Sequence, residues 1–254
     1  MSSIYLVSCG DDIRFWQDNP EQPVCRYQAT KGPVDSIDWS DNGFQLIACG
    51  QQSQPLQLVT ISRDTKQPAS ISTTSVIQLP GSATSATFNH GSGDKNIFAC
   101  AYDGGKIGLV NAQSLEVVKT LSTGNDPKRS IMSLSFDRAG TRLAASDDAG
   151  NIHVQNTIQA VQGKPLPQKD DAIVRHVKFS MLHKGLLVSG ADSGCVTLWD
   201  VFKSTKIHDF QKAHSMPVSG LAFSPINDSL LLSAGLDKQF CCLDVKKNQY
   251  VAHF

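Results

Sequence analysis

One short pattern recurs along the whole chain: an apolar residue, two spacers, a second apolar residue, one spacer and an aromatic residue. Successive aromatic residues of this pattern are 49, 48, 43 and 44 residues apart. The five copies are Val34–Trp39, Ala83–Phe88, Ile131–Phe136, Val174–Phe179 and Val218–Phe223. A recurrence at this spacing indicates an array of similar structural units.

Each copy is followed by two more segments of constant type. The first is an apolar stretch that ends in small residues, such as Leu46–Cys49, and the second alternates large residues, as in Val196–Trp199. Short segments rich in β-branched and aromatic residues are typical of strands. Asp-x-Gly motifs at 103–105, 148–150 and 192–194 predict turns between these strands, because Asp favours the start of a turn and Gly tolerates positive φ.

A fourth, more polar strand is expected after most of these triplets. Four antiparallel strands per 40 to 50 residues are typical of β-propeller blades. We therefore expect an all-β propeller of about six four-stranded blades, the first of them incomplete. As a single domain over 1–254, its units are expected at about 1–28, 34–79, 83–121, 131–160, 174–210 and 218–254.

Both faces of each sheet are predicted to be apolar, as they would be in a sheet that lies between two neighbours. Side chains alternate along a strand. By that rule Val174 should face one side of its sheet, and Val177 and Phe179 the other. We expect the same arrangement in every copy of the pattern.

Composition excludes several classes of partner. The formal net charge is zero, with 23 Lys plus Arg and 23 Asp plus Glu. A neutral chain offers no general attraction to nucleic acid or to an anionic membrane, so we expect neither as a partner. The seven cysteines are odd in number and lack CxxC spacing. This favours reduced thiols and a cytoplasmic location over a secreted disulfide framework or a zinc site.

The sequence contains no motif for a common catalytic site: no nucleophile elbow, phosphate loop, dinucleotide fingerprint or H-E-x-x-H. Cys241 or Cys242 with His253 would supply a nucleophile and a base, but a cysteine in mid-strand is more often a small buried side chain. The histidines do not cluster at ligand spacing. We therefore expect no enzyme, no metal, no cofactor and no small-molecule substrate.

Two short motifs stand at the ends of predicted strands: Trp199-Asp200 ends a third strand, and Phe223-Ser224-Pro225 ends a first strand. These motifs resemble those of the WD-repeat family. Within the family, an ordered set of segments is similar to the subunits that target the gamma-tubulin ring complex to centrosomes and spindle microtubules. The segments are Ser8–Trp16, Val174–Ser180, Val196–Val201, Ser219–Pro225 and Gly235–Lys238.

The resemblance implies a non-enzymatic scaffold that recruits the gamma-tubulin ring complex to the centrosome or spindle for microtubule nucleation in mitosis. It implies protein partners among the components of that complex or among centrosome and spindle scaffold proteins, and a cytoplasmic, cytoskeletal location. It also implies that His214 pairs with Asp237, with Ser233 nearby.

The chain departs from these subunits at both ends. It begins on a second strand at Ser8, and its last unit ends on its own fourth strand, so that no strand is left to close a ring. The further blade and the helical tail that the resemblance implies are absent from it. We therefore expect a fragment of a seven-bladed ring, a short isoform or a truncated gene product. Because an open ring would expose a blade face, we expect the isolated chain to be poorly soluble or self-associating.

The candidate site residues fall into a binding set and a structural set. Loops before the first strands and turns after the second strands should share one face of the disc, and their cations predict a docking surface for an acidic or mixed partner. These cations are Lys128, Arg129, Arg175, Lys212 and Lys238, with Lys31; Asp126, Asp170 and Asp171 offset them. The competing interpretation is solvated loop tips. The structural set is Trp16, Trp39, Phe88, Phe136, Phe179, Trp199, Phe223, His214 and Asp237.

Two other functions remain open at this level. One is a different WD-repeat adaptor, such as a ubiquitin-ligase substrate receptor or a trafficking scaffold, which would have other binding partners. The other is a propeller hydrolase, which would show turnover or hold a metal in the central channel.

Overall fold

The computed structural model of the chain describes residues 6–16, 21–23, 25–28, 33–50, 56–61, 71–124, 128–159, 165–166 and 172–254. Every regular element in these ranges is a β-strand. No helix there could cross a membrane. The strands form six separate antiparallel sheets that follow one another in chain order, and we refer to them as the first to sixth blades.

The strands of the first blade are β1 (Leu6–Cys9), β2 (Ile13–Trp16) and β3 (Cys25–Tyr27). Those of the second are β4 (Ser36–Trp39), β5 (Gln45–Cys49), β6 (Leu56–Ile61) and β7 (Ile71–Ile77). Those of the third are β8 (Ala83–Phe88), β9 (Ile97–Tyr102), β10 (Lys106–Asn111) and β11 (Val117–Ser122).

The fourth blade holds β12 (Ile131–Phe136), β13 (Arg142–Asp147) and β14 (Ile152–Asn156). The fifth holds β15 (Val174–Phe179), β16 (Leu186–Ala191), β17 (Val196–Asp200) and β18 (Thr205–Phe210). The sixth holds β19 (Val218–Phe223), β20 (Leu230–Gly235), β21 (Phe240–Asp244) and β22 (Gln249–His253).

Four blades therefore have four strands, and the first and fourth have three in the part of the chain that the structure describes. Next to the fourth blade, a single bridge pairs Ile152 with Leu166. The residues on either side of Leu166, 160–164 and 167–171, lie outside the described ranges.

Five hydrophobic clusters lie between successive blades, so the core is divided among the blade interfaces. In β5, Leu46 and Ala48 pack with the first blade, whereas Ile47 and Cys49 pack with the third. The same alternation in β9 places Phe98 against the second blade and Ala99 against the fourth. The prediction that both faces of a blade are apolar is confirmed.

The prediction for the first strands is wrong in one respect. Val174 packs on the same face as Val177 and Phe179, in the cluster between the fourth and fifth blades. The reason is a β-bulge between Val174 and His176, where the register of pairing with β16 shifts by one residue. Because the bulge adds one residue to the strand, the side chains before it face the opposite side of the sheet from the side that strict alternation predicts. Bulges at the equivalent place interrupt β8, β12 and β19.

The blades form an open array, because the first and sixth do not pack on each other within the described residues. Contacts link β4 to β8, β8 to β12, β12 to β15 and β15 to β19, so the first strands lie innermost. Within the described residues, no other blade covers the outer face of the sixth blade. About half of the side-chain surface is exposed at Leu232 (49%), Phe240 (56%) and Val251 (56%).

Candidate functional site

The first strands of the second to sixth blades line a central channel. Residues three positions before each repeated aromatic residue share one level of it. They are Ser36, Ser85, Ser133, His176 and Gly220. A cavity of about 220 Å³ at this level extends to Asp38, Thr87 and Lys178. We call the four polar residues Ser36, Ser85, Ser133 and His176 the collar.

The collar also borders a larger cavity of about 790 Å³. Asp103 and Asp148 on its wall belong to turns that follow second strands, whereas Ser82 and Ser130 belong to segments that lead into first strands. The cavity therefore lies on the face where the binding loops were expected, and we call it the channel mouth. Its other polar wall residues include Asp35 and Arg175.

The turns that follow the second strands have the predicted glycine geometry. Gly105, Gly150 and Gly194 have φ values of 65°, 82° and 76°. Such values favour glycine because it has no Cβ. In the sixth blade Lys238 occupies the equivalent place with a φ of 64°, so this turn keeps its geometry without glycine.

Arg175 lies at the channel mouth, where its guanidinium pairs with Asp192 of the same blade. Its Nη2 donates to Asp192 Oδ2 at 3.1 Å, and its Nε donates to Oδ1. This bidentate contact fixes the orientation of the Arg175 side chain. The positive charge of Arg175 is thus largely matched by a carboxylate of its own blade.

Of the other cations of the binding set that the structure describes, Arg129 lies beside the channel mouth, next to Asp148 on its wall, and the others are not among the wall residues. Arg129 Nη1 lies 3.6 Å from Asp148 Oδ1, and Lys128 precedes it on the surface. Lys212 and Lys238 are exposed on the sixth blade, away from the mouth wall. The predicted loop residues Lys31, Asp126, Asp170 and Asp171 lie outside the described residues.

Carboxylates outnumber cations at the channel mouth. Asp35, Asp103 and Asp148 lie on its wall, and Arg175 is the only Lys or Arg among the described wall residues. Asp103 Oδ2 accepts the main-chain N–H of Ser82 at 2.8 Å. The wall residues therefore carry a net negative charge, which Arg129 beside Asp148 reduces in part, although the whole chain is neutral.

Two collar residues have hydrogen-bonding groups that are not used within the described chain. Ser85 is 7% exposed, and its hydroxyl makes no hydrogen bond there. The imidazole of His176 likewise has no hydrogen-bond partner there. Burial, with the neighbouring charge of Arg175, lowers the pKa of His176. This side chain is therefore neutral near pH 7.

The collar and the acidic wall were missed by sequence reasoning. A signal for the collar was present, because Ser36, Ser85 and Ser133 all stand three residues before their aromatic residue. Asp103 and Asp148 were recognised as turn formers only. Their contribution to a shared cavity depends on how the blades are arranged.

A charged cluster joins the second and third blades. His90 Nε2 lies 3.0 Å from Asp38 Oδ2, and His90 Nδ1 lies 2.6 Å from Asp41 Oδ1. Because ionised carboxylates only accept hydrogen bonds, both ring nitrogens must donate, which requires the imidazolium form. The hydrogen bond to Asp38 is the main reason that the pKa of His90 is raised. Lys95 also pairs with Asp41.

The carboxyl of Asp38 is tuned by the same cluster. Burial opposes its ionisation, but the hydrogen bond and charge of His90, together with the charge of Lys178, hold its pKa below the usual value. Asp38 therefore stays ionised and joins the His90 cluster to the channel.

His214 bridges a loop and a turn of the sixth blade. Its Nδ1 lies 3.1 Å from Asp237 Oδ1, and its Nε2 lies 2.9 Å from Ser233 Oγ. A carboxylate cannot donate, so Nδ1 carries the proton and, in the neutral ring, Nε2 accepts from Ser233. Burial opposes ionisation of Asp237, yet the N–H groups of Ser215 and Gln239, with His214, lower its pKa.

The two tryptophans of the predicted third strands make the same contact in different blades. Trp16 Nε1 donates to Ser8 Oγ at 2.9 Å, and Trp199 Nε1 donates to Ser189 Oγ at 2.8 Å. Trp199 is fully buried, whereas Trp16 is half-buried.

The repeated aromatic residues differ in burial. Phe88, Phe136 and Phe179 are buried, whereas Trp39 and Phe223 are half-buried at the two ends of the stack. All five pack into the clusters between blades.

Cys241 and His253 come together on neighbouring strands. Cys241 Sγ lies 3.2 Å from His253 Nδ1 and 2.8 Å from the carbonyl oxygen of Ala213. Burial raises the pKa of this thiol. A nucleophilic cysteine needs a lowered pKa and access to solvent, whereas Cys241 is fully buried. The geometry of Cys241 is therefore that of a thiol buried in the core and not that of an activated nucleophile.

No group of three or more His, Cys, Asp or Glu side chains is arranged to hold a metal ion in the part of the chain described. The polar groups of the collar and mouth instead offer hydrogen-bond partners and negative charge to a ligand that approaches along the channel axis.

The stacked sheets and the innermost first strands define the fold class: an open array of β-propeller blades, consistent with a fragment of a WD-repeat propeller. The chain is similar over 98% of its length to Protein NEDD1 of Homo sapiens, with 25% identity over 262 residues. It spans 36% of the length of that curated relative.

Shorter similarities involve other proteins. The chain is 43% identical over 65 residues, 24% of its length, to WD repeat-containing protein 76 of Rhinolophus ferrumequinum, and covers 10% of that protein. It is 38% identical over 71 residues, 25% of its length, to Protein transport protein SEC31 of Meyerozyma guilliermondii, and covers 6% of it. No protein-family model matches the chain.

Proposed function

We propose that the chain is a non-enzymatic interaction scaffold that recruits the gamma-tubulin ring complex to the centrosome and spindle for microtubule nucleation in mitosis. The observation that carries this proposal is the similarity to NEDD1, because it extends over 98% of the chain and includes the motifs that resemble targeting subunits. In this proposal residues 1–254 act as one propeller domain in the cytoplasm, where they associate with the cytoskeleton.

The arrangement of the channel supports a binding role over catalysis. The collar offers hydroxyl groups and one neutral imidazole. The Cys–His pair of Cys241 and His253 has a buried thiol with a raised pKa. Scaffolds of this kind bind other proteins through rigidly held loops and turns.

The test is proximity labelling in dividing cells that express the tagged chain. We expect gamma-tubulin ring complex components or centrosome scaffold proteins among the labelled proteins, and the tag at spindle poles in mitosis. A matched chain with Phe179→Ala should lose both the labelling of these proteins and the location at spindle poles, because the mutation disrupts the interface between the fourth and fifth blades. A labelled set without any such protein would contradict the proposal.

A second candidate function is a trafficking scaffold, favoured by the local similarity to SEC31. The same labelling experiment separates the two, since a trafficking scaffold would label vesicle-coat proteins in interphase as well as in mitosis. The match covers only 25% of the chain, which is why we rank it second.

A further inference from the structure

We propose that the channel mouth binds a positively charged side chain, an arginine or a lysine, of a protein partner. The inference rests on the proposed role as a protein-binding scaffold and specifies the chemistry of one binding site on it. It differs from the sequence-based expectation of an acidic or mixed partner, which rested on the loop cations and on the carboxylates of Asp126, Asp170 and Asp171 that offset them.

The first argument is the distribution of charge. Three carboxylates, those of Asp35, Asp103 and Asp148, lie on the wall of the mouth. The one described wall cation, Arg175, is paired with Asp192, and Arg129 lies 3.6 Å from Asp148, so Asp35 and Asp103 carry most of this argument. Below the collar, Lys178 and Asp38 lie on the smaller cavity, and the charge of Lys178 helps to keep Asp38 ionised. A cationic group is therefore attracted into the mouth, whereas an anionic group is repelled.

The second argument is the unused hydrogen-bonding capacity of the collar. Ser85 is more than nine-tenths buried, lines both cavities and has no hydrogen-bond partner in the described chain. Because Ser85 lines the wall of both cavities, its hydroxyl is available to a group that enters the channel. His176 also lines both cavities and is neutral, so one ring nitrogen accepts a hydrogen bond. An ammonium or guanidinium group has only donors and complements both acceptors.

The third argument is size and access. A volume of about 790 Å³ lies within the range of ligand-binding pockets and exceeds that of one side chain. It can therefore take a basic side chain together with part of the adjoining peptide. The mouth opens among turns and loops of four blades, so a peptide can approach from solution.

The test uses the 254-residue chain and short glycine–serine peptides with one central residue: arginine, lysine, glutamate or norleucine. The readout is the proton NMR signal of the His176 ring, assigned with the variant His176→Gln. We expect the arginine or lysine peptide to shift this signal in a saturable way at millimolar concentration. The glutamate and norleucine peptides should leave it unchanged.

Two variants test the contacts. Asp103→Asn removes a negative charge but keeps an oxygen that accepts the N–H of Ser82, and Ser85→Ala removes the unbonded hydroxyl. Each should weaken binding of the basic peptide about tenfold, because each removes a hydrogen-bonding or charge contact to a cation. Glu116→Gln is the matched control, since Glu116 is exposed on the third blade and is not on the mouth wall. It should bind like the unaltered chain.

The proposal is overturned by no shift of the His176 signal with any basic peptide, by equal binding of the glutamate peptide, or by unchanged binding in both Asp103→Asn and Ser85→Ala. Equal affinity for free N-acetylarginine amide would also overturn it, because the site would then recognise a small cation rather than a protein segment. These titrations do not involve the proximity labelling experiment, so either can fail while the other succeeds.

Discussion

Asp38 of the second blade accepts the main-chain N–H of Phe88 in the third blade at 2.8 Å. The same carboxylate oxygen accepts the hydroxyl of Thr87 at 2.9 Å. Ser135 of the fourth blade makes the equivalent bond, accepting the N–H of Phe179 in the fifth at 3.0 Å. First strands are edge strands of their sheets, with N–H groups that need partners. A side chain of the preceding blade supplies the partner and joins the two blades.

We predict that Asp38→Ala destabilises the fold by about 1–3 kcal/mol, because it leaves the N–H of Phe88 unpaired and removes the main partner of His90. Urea unfolding followed by tryptophan fluorescence measures the loss. Asp38→Asn keeps an acceptor oxygen and should cost less than Asp38→Ala. Equal losses for the two variants would show that the acceptor is unimportant.

The stability of the chain should depend on pH through His90. Its folded pKa is raised by Asp38 and Asp41 above the unfolded value of about 6.5. The stabilisation is therefore fully present below about pH 6.5 and is lost as the pH rises through the folded pKa. Unfolding free energies measured between pH 6 and 9 should fall more steeply for the unaltered chain than for His90→Asn. Parallel curves would contradict the prediction.

Phe179→Ala should cost about 3–5 kcal/mol, because it empties a buried position between two blades. Phe223→Ala should cost less, since Phe223 is only half-buried although the sequence pattern treats the two alike. Chemical denaturation of both variants under one set of conditions measures the difference. A larger loss at Phe223 would contradict the burial that the structure assigns.

His214→Ala should destabilise the sixth blade by about 1–3 kcal/mol, because the buried hydroxyl of Ser233 loses its partner. Hydrogen exchange of amides in β20 and β21 should report the loss locally. Lys212→Ala is the matched control, exposed in the same loop, and should change stability by less than about 0.5 kcal/mol. An effect spread evenly over all six blades would contradict a local role.

The stability of the sixth blade at acidic pH should depend on the carboxylate of Asp237. Its folded pKa is lowered, so its contribution is present above the unfolded pKa of about 3.9 and is lost as the pH falls through the folded pKa. In the Asp237→Asn variant, stability should therefore fall less steeply with decreasing pH in that acidic range than in the unaltered chain. Thermal unfolding at several acidic pH values tests this.

The expected self-association of the chain can now be tied to one surface. Leu232→Lys and Phe240→Lys on the uncovered face of the sixth blade should increase the monomeric fraction, because charged side chains oppose apolar association. Light scattering measures that fraction. Val118→Lys is the control, because Val118 is similarly exposed (56%) on the outer strand of the third blade. If the unaltered chain is a monodisperse monomer, the prediction is wrong.

Much of the fold follows from local patterns. Within one repeat unit, the three strand segments, the Asp-x-Gly turn and the aromatic residue follow one another closely in the chain. The local sequence therefore determines the strands and turns directly. The apolar residues on both faces of each sheet also predict that the sheets pack against one another. The bulge at Val174 escaped this reasoning because the spacing of apolar residues does not reveal an extra residue that lacks a pairing partner.

The sequence by itself thus determined that the chain is an array of β-sheet blades, because each blade repeats the same short-range pattern. Only the tertiary structure decided the character of the channel. The collar and the acidic mouth bring together residues from blades that are about 45 residues apart in the chain. Charges dispersed in a neutral sequence become a negative pocket there, because packing directs Asp103 and Asp148 to the same cavity while Arg175 is bound by Asp192.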